Sequence, residues 1–368
     1  MSKKGENIYK RKDGRWEGRY IKGRKPNGTI HYGYIYDYSY KNAKQKLILM
    51  KSFHQENYGQ NSLPIYCGSL NQWATHWLEI VKKRVKISTF VSYTNKYRQH
   101  IQPSLGEIAL ADLTTEKINL WLRQLETKLS ISSTRVMLQV LRTCLEDAVK
   151  KGLITRNPCK GATIPKAENK KVQALTKIEQ NRLYKSARSN ENGLPVILAL
   201  ETGLRIGEIS GLKWKDIDFS SKLLHVRRTV QRIQSLDPVS QTKTIIIEHS
   251  PKSSSSERTI PLSPNLYQLL RAKRKMAIGS HVFGDSSPCE PRIILYWFKK
   301  ICQDASLKNI HFHALRHTFA TRCLEKGVTI VTISALLGHH SSKMTLDIYL
   351  NSFLSEKRKA IRLISSKG

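Results

Sequence analysis

Acidic residues are scarce in this chain, and their scarcity is the first constraint on what it does. Asp and Glu number 28 in 368 residues against 63 Lys and Arg, a formal net charge of +35. That imbalance excludes an ordinary near-neutral metabolic enzyme as the default, because so positive a field selects a polyanion, either nucleic acid or an anionic membrane. Long apolar runs are missing too. No stretch approaches the ~18 residues of a bilayer-spanning helix, and Met1 to Asn7 is charged with no apolar signal core behind it. Membrane is therefore the weaker partner, and a cytoplasmic location is expected. Paired cysteines are also absent: Cys67, Cys144, Cys159, Cys289, Cys302 and Cys323 stand far apart without a Cys-x-x-Cys. Neither a zinc site nor a disulfide framework is indicated, which leaves reduced, mostly buried thiols.

What is present reads as two or three folded domains, since 39 % hydrophobic and 8 % aromatic residues make a globular composition on its polar side. The first, residues 1–62, is a small β-rich module. Asp13-Gly14 and Asn27-Gly28 are dipeptides that accept the positive φ of tight hairpin turns, and strand-like runs cover Ile8 to Lys12, Trp16 to Ile21 and Ile30 to Tyr36. The spacing of Ala43, Leu47, Met50 and Phe53 or His54 predicts a helix over 41–58 packed across one sheet face. Residues 1–65 carry fourteen Lys or Arg against five Asp or Glu. A sheet face bearing Arg15, Arg19, Lys22 and Arg24 among aromatics is suited to entering a DNA groove as a β-ribbon; the alternative is a solvated basic surface.

After a linker at 61–68, residues 69–161 turn helical. Leu70, Trp73, Trp77, Leu78 and Val81 form one apolar stripe, and further stripes over 89–101, 115–125 and 132–151 complete a four-helix, all-α domain. Thr114 or Thr115 and Ser132 or Ser133 are the expected helix N-caps. Lys83, Arg84, Lys96 and Arg98 fall on polar sides as candidate DNA contacts. Asn157-Pro158 through Val172 reads as a second linker. A third domain then runs over 174–368, started by a capping box of Thr176 and Glu179. It is helical over 178–189, 194–202 and 205–212, stranded over 223–230, 244–248 and 258–261, and helical again beyond.

The third domain carries the specific signal. Thr202-Gly203-Leu204-Arg205-Ile206-Gly207-Glu208 is followed by Pro251-Lys252 before a serine turn. His311-Phe312-His313-Ala314-Leu315-Arg316-His317-Thr318-Phe319 comes next, and then Leu337-Gly338-His339-His340 ahead of Met344-Thr345-Leu346-Asp347-Ile348-Tyr349. In order and general spacing the set resembles the catalytic signature of the tyrosine recombinases, or phage integrases. The resemblance implies that Tyr349 is a nucleophile holding the DNA phosphate covalently, that His313 is its base, and that Arg205 and Arg316 grip the charged phosphate. It further implies that Lys252 protonates the departing 5′ oxygen, that His339, with His340 beside it, donates to a phosphate oxygen, and that Glu208 buttresses Arg205 or a neighbour. No metal is expected, because His311, His313 and His317 lack a carboxylate at third-ligand spacing and no His-Glu-x-x-His occurs.

For the whole chain the resemblance implies a multidomain α+β protein. An N-terminal arm-site module like those of phage and conjugative-transposon integrases would precede an all-α core-binding domain and a mixed, mainly α catalytic domain with a small sheet. The implied activity is site-specific integration and excision of a mobile element through a 3′-phosphotyrosine link and a Holliday junction, without metal or nucleotide cofactor. The partners would be double-stranded DNA at core and arm sites, three further copies of the chain in a tetramer, and an excision factor or host DNA-bending protein. The tail Leu350 to Gly368 has amphipathic spacing and would dock on a neighbouring subunit or on its own domain. A non-catalytic DNA-binding regulator and a type IB topoisomerase are the alternatives.

Overall fold

A computed structural model describes residues 7–24, 29–58, 68–165, 174–236, 242–249, 257–338 and Ile361. The chain divides into two compact units, Met1–Ala167 and Glu168–Gly368. Among the described residues no helix is long and apolar enough to cross a membrane. Cys144, Cys159, Cys289 and Cys302 are buried and free, and burial pushes the Cys159 and Cys302 thiols up to about 12. Cys67 lies outside the described residues.

The first unit opens with an antiparallel sheet of β1 (Ile8–Lys10), β2 (Trp16–Arg24) and β3 (Ile30–Asp37) in that order. Alternation along the strands sorts the side chains. Ile8, Tyr20 and Ile35 turn inward onto Ala43 and Leu47 of helix α1 (Tyr40–Tyr58), while Tyr9, Ile21, Tyr34 and Tyr36 stay exposed on the other face. Register pairs Glu17 with Tyr36 and Arg19 with Tyr34, and it slips by a bulge between Ile21 and Gly23.

The helical region comprises α2 (Leu70–Arg84), α3 (Ile87–Lys96), α4 (Gln102–Leu105), α5 (Thr115–Glu126) and α6 (Ile131–Lys150), with a π turn over Tyr97–Ile101 joining α3 to α4. Its tryptophans bury apolar bodies but keep their indole N–H groups satisfied. Trp73 donates to the Cys144 carbonyl at 3.1 Å, Trp77 to the Asp147 carboxylate at 3.1 Å and Trp121 to the His100 carbonyl at 2.9 Å. Two expectations are corrected here. The α6 cap is Ser130, which accepts from the Ser133 backbone N–H, rather than Ser132 or Ser133, because the helix starts one turn earlier than the apolar stripe. The stretch from Asn157 is not an open linker at its start. Asn157, Pro158 and Cys159 are buried in a short 3₁₀ turn, where Asn157 donates to the Arg142 carbonyl and Arg142 to the Cys159 carbonyl.

In the second unit the Thr176 and Glu179 capping box forms as predicted and starts α7 (Lys177–Ser189). Helix α8 (Leu194–Thr202) is buried along most of its length, with Pro195 to Leu200 in the core, and ends at Gly203 with φ +66°. A Cβ at Gly203 would also meet Leu337 and Phe319 at 2.7 Å. Helix α9 (Ile206–Ser210) follows. The run 223–230, read as one strand, is two. β5 (Leu223–Val226) joins β4 (Ile217–Asp218) and β8 (Arg258–Pro261) in the order β4-β5-β8, whereas β6 (Thr229–Gln234) pairs only with β7 (Thr244–His249). The break falls at Arg227-Arg228, whose side chains turn to the buried carboxylate of Asp216. Helices α10 (Pro264–Lys275), α11 (Pro291–Asp304), α12 (His313–Glu325) and α13 (Ile330–Leu337) complete the unit.

Replacing Ser130 by Ala removes the α6 cap and should lower stability by about 1 kcal/mol, whereas the exposed Ser132→Ala should change it by less than about 0.5 kcal/mol. Urea unfolding midpoints of the two variants check the assignment.

Candidate active site

The site begins where α8 ends. The left-handed turn at Gly203 reverses the chain so that Leu204 stays buried and Arg205 stands at the N-cap of α9. From there its side chain is 38 % exposed, and its Nη1 donates to Glu208 Oε1 at 2.8 Å. The Arg205 backbone N–H donates to the other oxygen, Glu208 Oε2, at 2.9 Å. Glu208 is itself buried, and a second arginine closes on it. Arg258, at the start of β8, donates from Nη2 to Oε2 at 2.9 Å and from Nη1 to Oε1 at 3.1 Å. Burial alone would raise the Glu208 carboxyl, but Arg258 and Arg205 outweigh it and hold it below the ordinary carboxylate value. Removing one partner from such a buried pair costs about 3–5 kcal/mol because the other charge is left uncompensated.

Arg316 lies one turn into α12 with 3 % of its surface exposed. Its charge is placed between two helix ends. Nη1 donates to the Gly203 carbonyl at the end of α8 at 2.9 Å, and Nη2 to the Leu337 carbonyl at the end of α13 at 2.6 Å. Orphan carbonyls and the negative ends of both helix dipoles thus compensate a cation that would otherwise be costly to bury. Helix α13 ends at Gly338 with φ +64°, and Arg258 Nε takes the neighbouring Leu336 carbonyl at 2.6 Å.

His313 is the first residue of α12, on the same helix as Arg316. Its pKa lies below the ordinary imidazole value, first through loss of water around the ring and then through the nearby Arg316 and Arg205 guanidinium groups. A neutral ring near pH 7 is the form that accepts a proton. His317, one turn further, is buried and packs edge-on against the His313 ring with centroids 4.8 Å apart. Its own pKa is depressed to about 4 by burial, His313 and Arg316, and its Nδ1 has no hydrogen-bond partner among the described residues. A cavity of about 800 Å³ is lined by Arg205, His313 and Arg316 together with the β6 residues Val230, Arg232 and Ile233. Arg232 is held there by an ion pair with Glu290. No group of His, Cys, Asp or Glu that would hold a metal occurs among the described residues.

Arg205, Glu208, His313 and Arg316 therefore converge, while Lys252, His339, His340 and Tyr349 lie outside the described residues. In sequence, Lys252 falls between β7 and β8, and His339 and Tyr349 follow α13. Of the other candidates, Arg19 stands on the open sheet face with its guanidinium 4.5 Å from the centre of the Tyr32 ring, and Arg15 stacks on Tyr36 at 5.4 Å. Arg15 sits in the turn before β2 and pairs with Asp13, rather than on a strand. The Lys22 and Arg24 side chains are outside the described residues. Lys83 and Arg84 are exposed in the last turn of α2, Arg98 is exposed in the π turn, and Lys96 donates to Ser92. Sequence reasoning gave no role to Arg258 or to His317. The available signal was an arginine opening a short strand whose Ile260 faces the core, and a histidine at the spacing that stacks it on His313.

Against known proteins, residues 168–356 match the model described as "Phage integrase family", and residues 69–125 match "Phage integrase, N-terminal SAM-like domain". A protein of Caldanaerobacter subterraneus subsp. tengcongensis named tyrosine recombinase XerC-like is 30 % identical over 315 residues, covering 78 % of this chain and 81 % of that one. The integrase of Mycobacterium phage L5 is 27 % identical, covering 77 % and 76 %. Among solved structures, the Tn1549 transposon integrase bound to circular-intermediate DNA superposes with a TM-score of 0.68 at 20 % identity, over 80 % of this chain and 99 % of that one. A lambda integrase tetramer on a Holliday junction gives 0.58 at 22 % identity, over 91 % and 96 %. These relatives are recombinases and integrases, not the regulator or topoisomerase held as alternatives.

Two pH dependences follow. As pH falls below about 6.5 the unfolded His317 binds a proton first, while the folded ring resists until about 4. The stability contributed by neutral His317 is therefore complete above about 6.5 and lost as pH falls toward about 4; thermal melts should show a shallower acid loss in His317→Gln. If His313 is the base that the family resemblance implies, the acid limb of DNA cleavage by the free protein should lie below the ordinary histidine value of about 6.5, and a limb at or above that value would remove His313 from that role.

Proposed function

The chain belongs to the phage integrase family and is a site-specific tyrosine recombinase that cleaves and rejoins DNA; on that premise we propose that it integrates and excises a mobile element, with Tyr349 as nucleophile. The reading rests on one observation, the convergence of Arg205, His313 and Arg316 on a single cavity with the buried Glu208 behind Arg205. In the proposed reaction the Tyr349 oxygen attacks the scissile phosphorus and gives its proton to neutral His313. The bond to the 5′ oxygen breaks as Lys252 protonates it, and the strand is left joined to the enzyme through a 3′-phosphotyrosine. The two guanidinium groups and His339 hold the non-bridging oxygens, where negative charge grows in the transition state. Rejoining runs the same steps backward from a partner strand's 5′ hydroxyl. The phosphodiester energy is stored in the covalent link, so the chemistry calls for neither water nor nucleotide.

The helical region would supply contacts at the core site through Lys83, Arg84, Lys96 and Arg98. The open face of the N-terminal sheet would hold arm-site DNA through Arg19 and its tyrosines, with Arg15, Lys22 and Arg24 as further candidate contacts. The lambda structure's tetramer on a Holliday junction supports the same assembly for four copies of this chain, in which the tail from Leu350 would dock on a neighbour or on its own domain. An excision factor or a host DNA-bending protein would set the direction of the reaction. A suicide attachment-site substrate should trap a covalent protein–DNA adduct that disappears in Tyr349→Phe, and Arg205→Ala and Arg316→Ala should cut its rate on the order of 10²–10³-fold. An adduct that persists in Tyr349→Phe removes Tyr349 as the nucleophile.

A further inference from the structure

Arg258 has no place in the phosphate chemistry just described, yet its side chain is only 5 % exposed and each of its three guanidinium nitrogens donates to an acceptor within the catalytic unit. Two donors grip both oxygens of Glu208, the carboxylate that fixes Arg205 by its side chain and by its backbone N–H. The third takes the Leu336 carbonyl, one residue before the Leu337 carbonyl held by Arg316. A single planar group thus ties the support of one cavity arginine to the helix end gripped by the other. A carboxylate bonded only by Arg205 would be free to rotate with it. Arg258 locks the carboxylate plane from behind, so the direction in which Arg205 leaves that plane is set before DNA arrives.

We propose that Arg258 is a positioning residue for DNA cleavage: acting through Glu208, it aims the Arg205 guanidinium at the scissile phosphate, and through Leu336 it keys that aim to the end of α13. The proposal rests on the reading of Arg205 as a phosphate ligand. Lysine cannot replace the group, since one ammonium cannot span both Glu208 oxygens and a carbonyl on the far side in fixed planar geometry.

The test compares cleavage of two attachment-site substrates, one with an ordinary scissile phosphodiester and one with a methylphosphonate there. The latter carries no negative charge for Arg205 to hold. Arg258→Gln and Arg258→Lys are assayed beside Arg205→Ala, with site binding measured by gel shift and folding by thermal melts. Misaiming a charged group should slow cleavage of the phosphodiester on the order of 10²-fold in Arg258→Gln, with the gap shrinking to about a tenth of that on the methylphosphonate. Arg258→Lys, which keeps the buried charge balanced, should fold, bind the site normally and show a smaller gap of the same substrate dependence. Should Arg258→Gln fail to fold, Arg258→Lys alone carries the comparison. An equal gap on both substrates, with the Arg205→Ala gap still shrinking on the methylphosphonate, overturns the role of Arg258 and leaves Arg205 in place. An Arg205→Ala gap that does not shrink overturns the phosphate role of Arg205 and the proposal with it.

Discussion

Two guanidinium groups buried against helix ends hold the catalytic unit in register. Arg316 takes the carbonyls that close α8 and α13, and Arg258 takes the carbonyl next to the latter together with both oxygens of Glu208. An arginine cannot shed its charge on burial, so each must find acceptors inside the protein. Helix C-termini supply these because their last carbonyls have no partner within the helix. The left-handed turns at Gly203 and Gly338 leave those carbonyls accessible.

Reactive geometry follows from that anchoring. Gly203 reverses the chain so that Arg205 emerges from the core end of α8, and Glu208, one turn along α9, returns to hold it by side chain and backbone. On α12 the three-residue spacing puts His313 and Arg316 at the same cavity. The arginines that concentrate positive charge there also keep the imidazole neutral, and His317 packs against it without adding charge. One local electrostatic arrangement thus combines a gathered positive field with an uncharged imidazole, the two features that the proposed phosphoryl transfer needs.

The N-terminal sheet shows another use of cation and aromatic together. Its inward residues make a small core with α1, and its outward tyrosines carry arginines across their faces. Stacking of this kind restrains long cationic side chains, so a face built this way would lose less side-chain entropy on meeting the arm-site DNA proposed for it.

Much of the fold was legible because periodicity and turn chemistry act over a few residues. The α2 stripe and the Thr176 capping box depend on neighbours in sequence and reappear in the structure, whereas at Asp13-Gly14 the chain does turn but only Gly14 takes positive φ, within a five-residue connection from Lys10 to Trp16. The Arg227-Arg228 break was not legible, because apolar strand residues flank it on both sides and only the buried Asp216 gives it a reason. Ser130 was missed as a cap because the first turn of α6 precedes its apolar stripe. The sequence by itself determined the charge, the element types and the motif residues. Only the tertiary structure decided that Arg258, 50 residues from Glu208, shares its carboxylate, and that Arg316 lies against the ends of α8 and α13. A buried charge is satisfied by whatever acceptors the folded chain brings beside it, and that meeting has no period or spacing in the sequence.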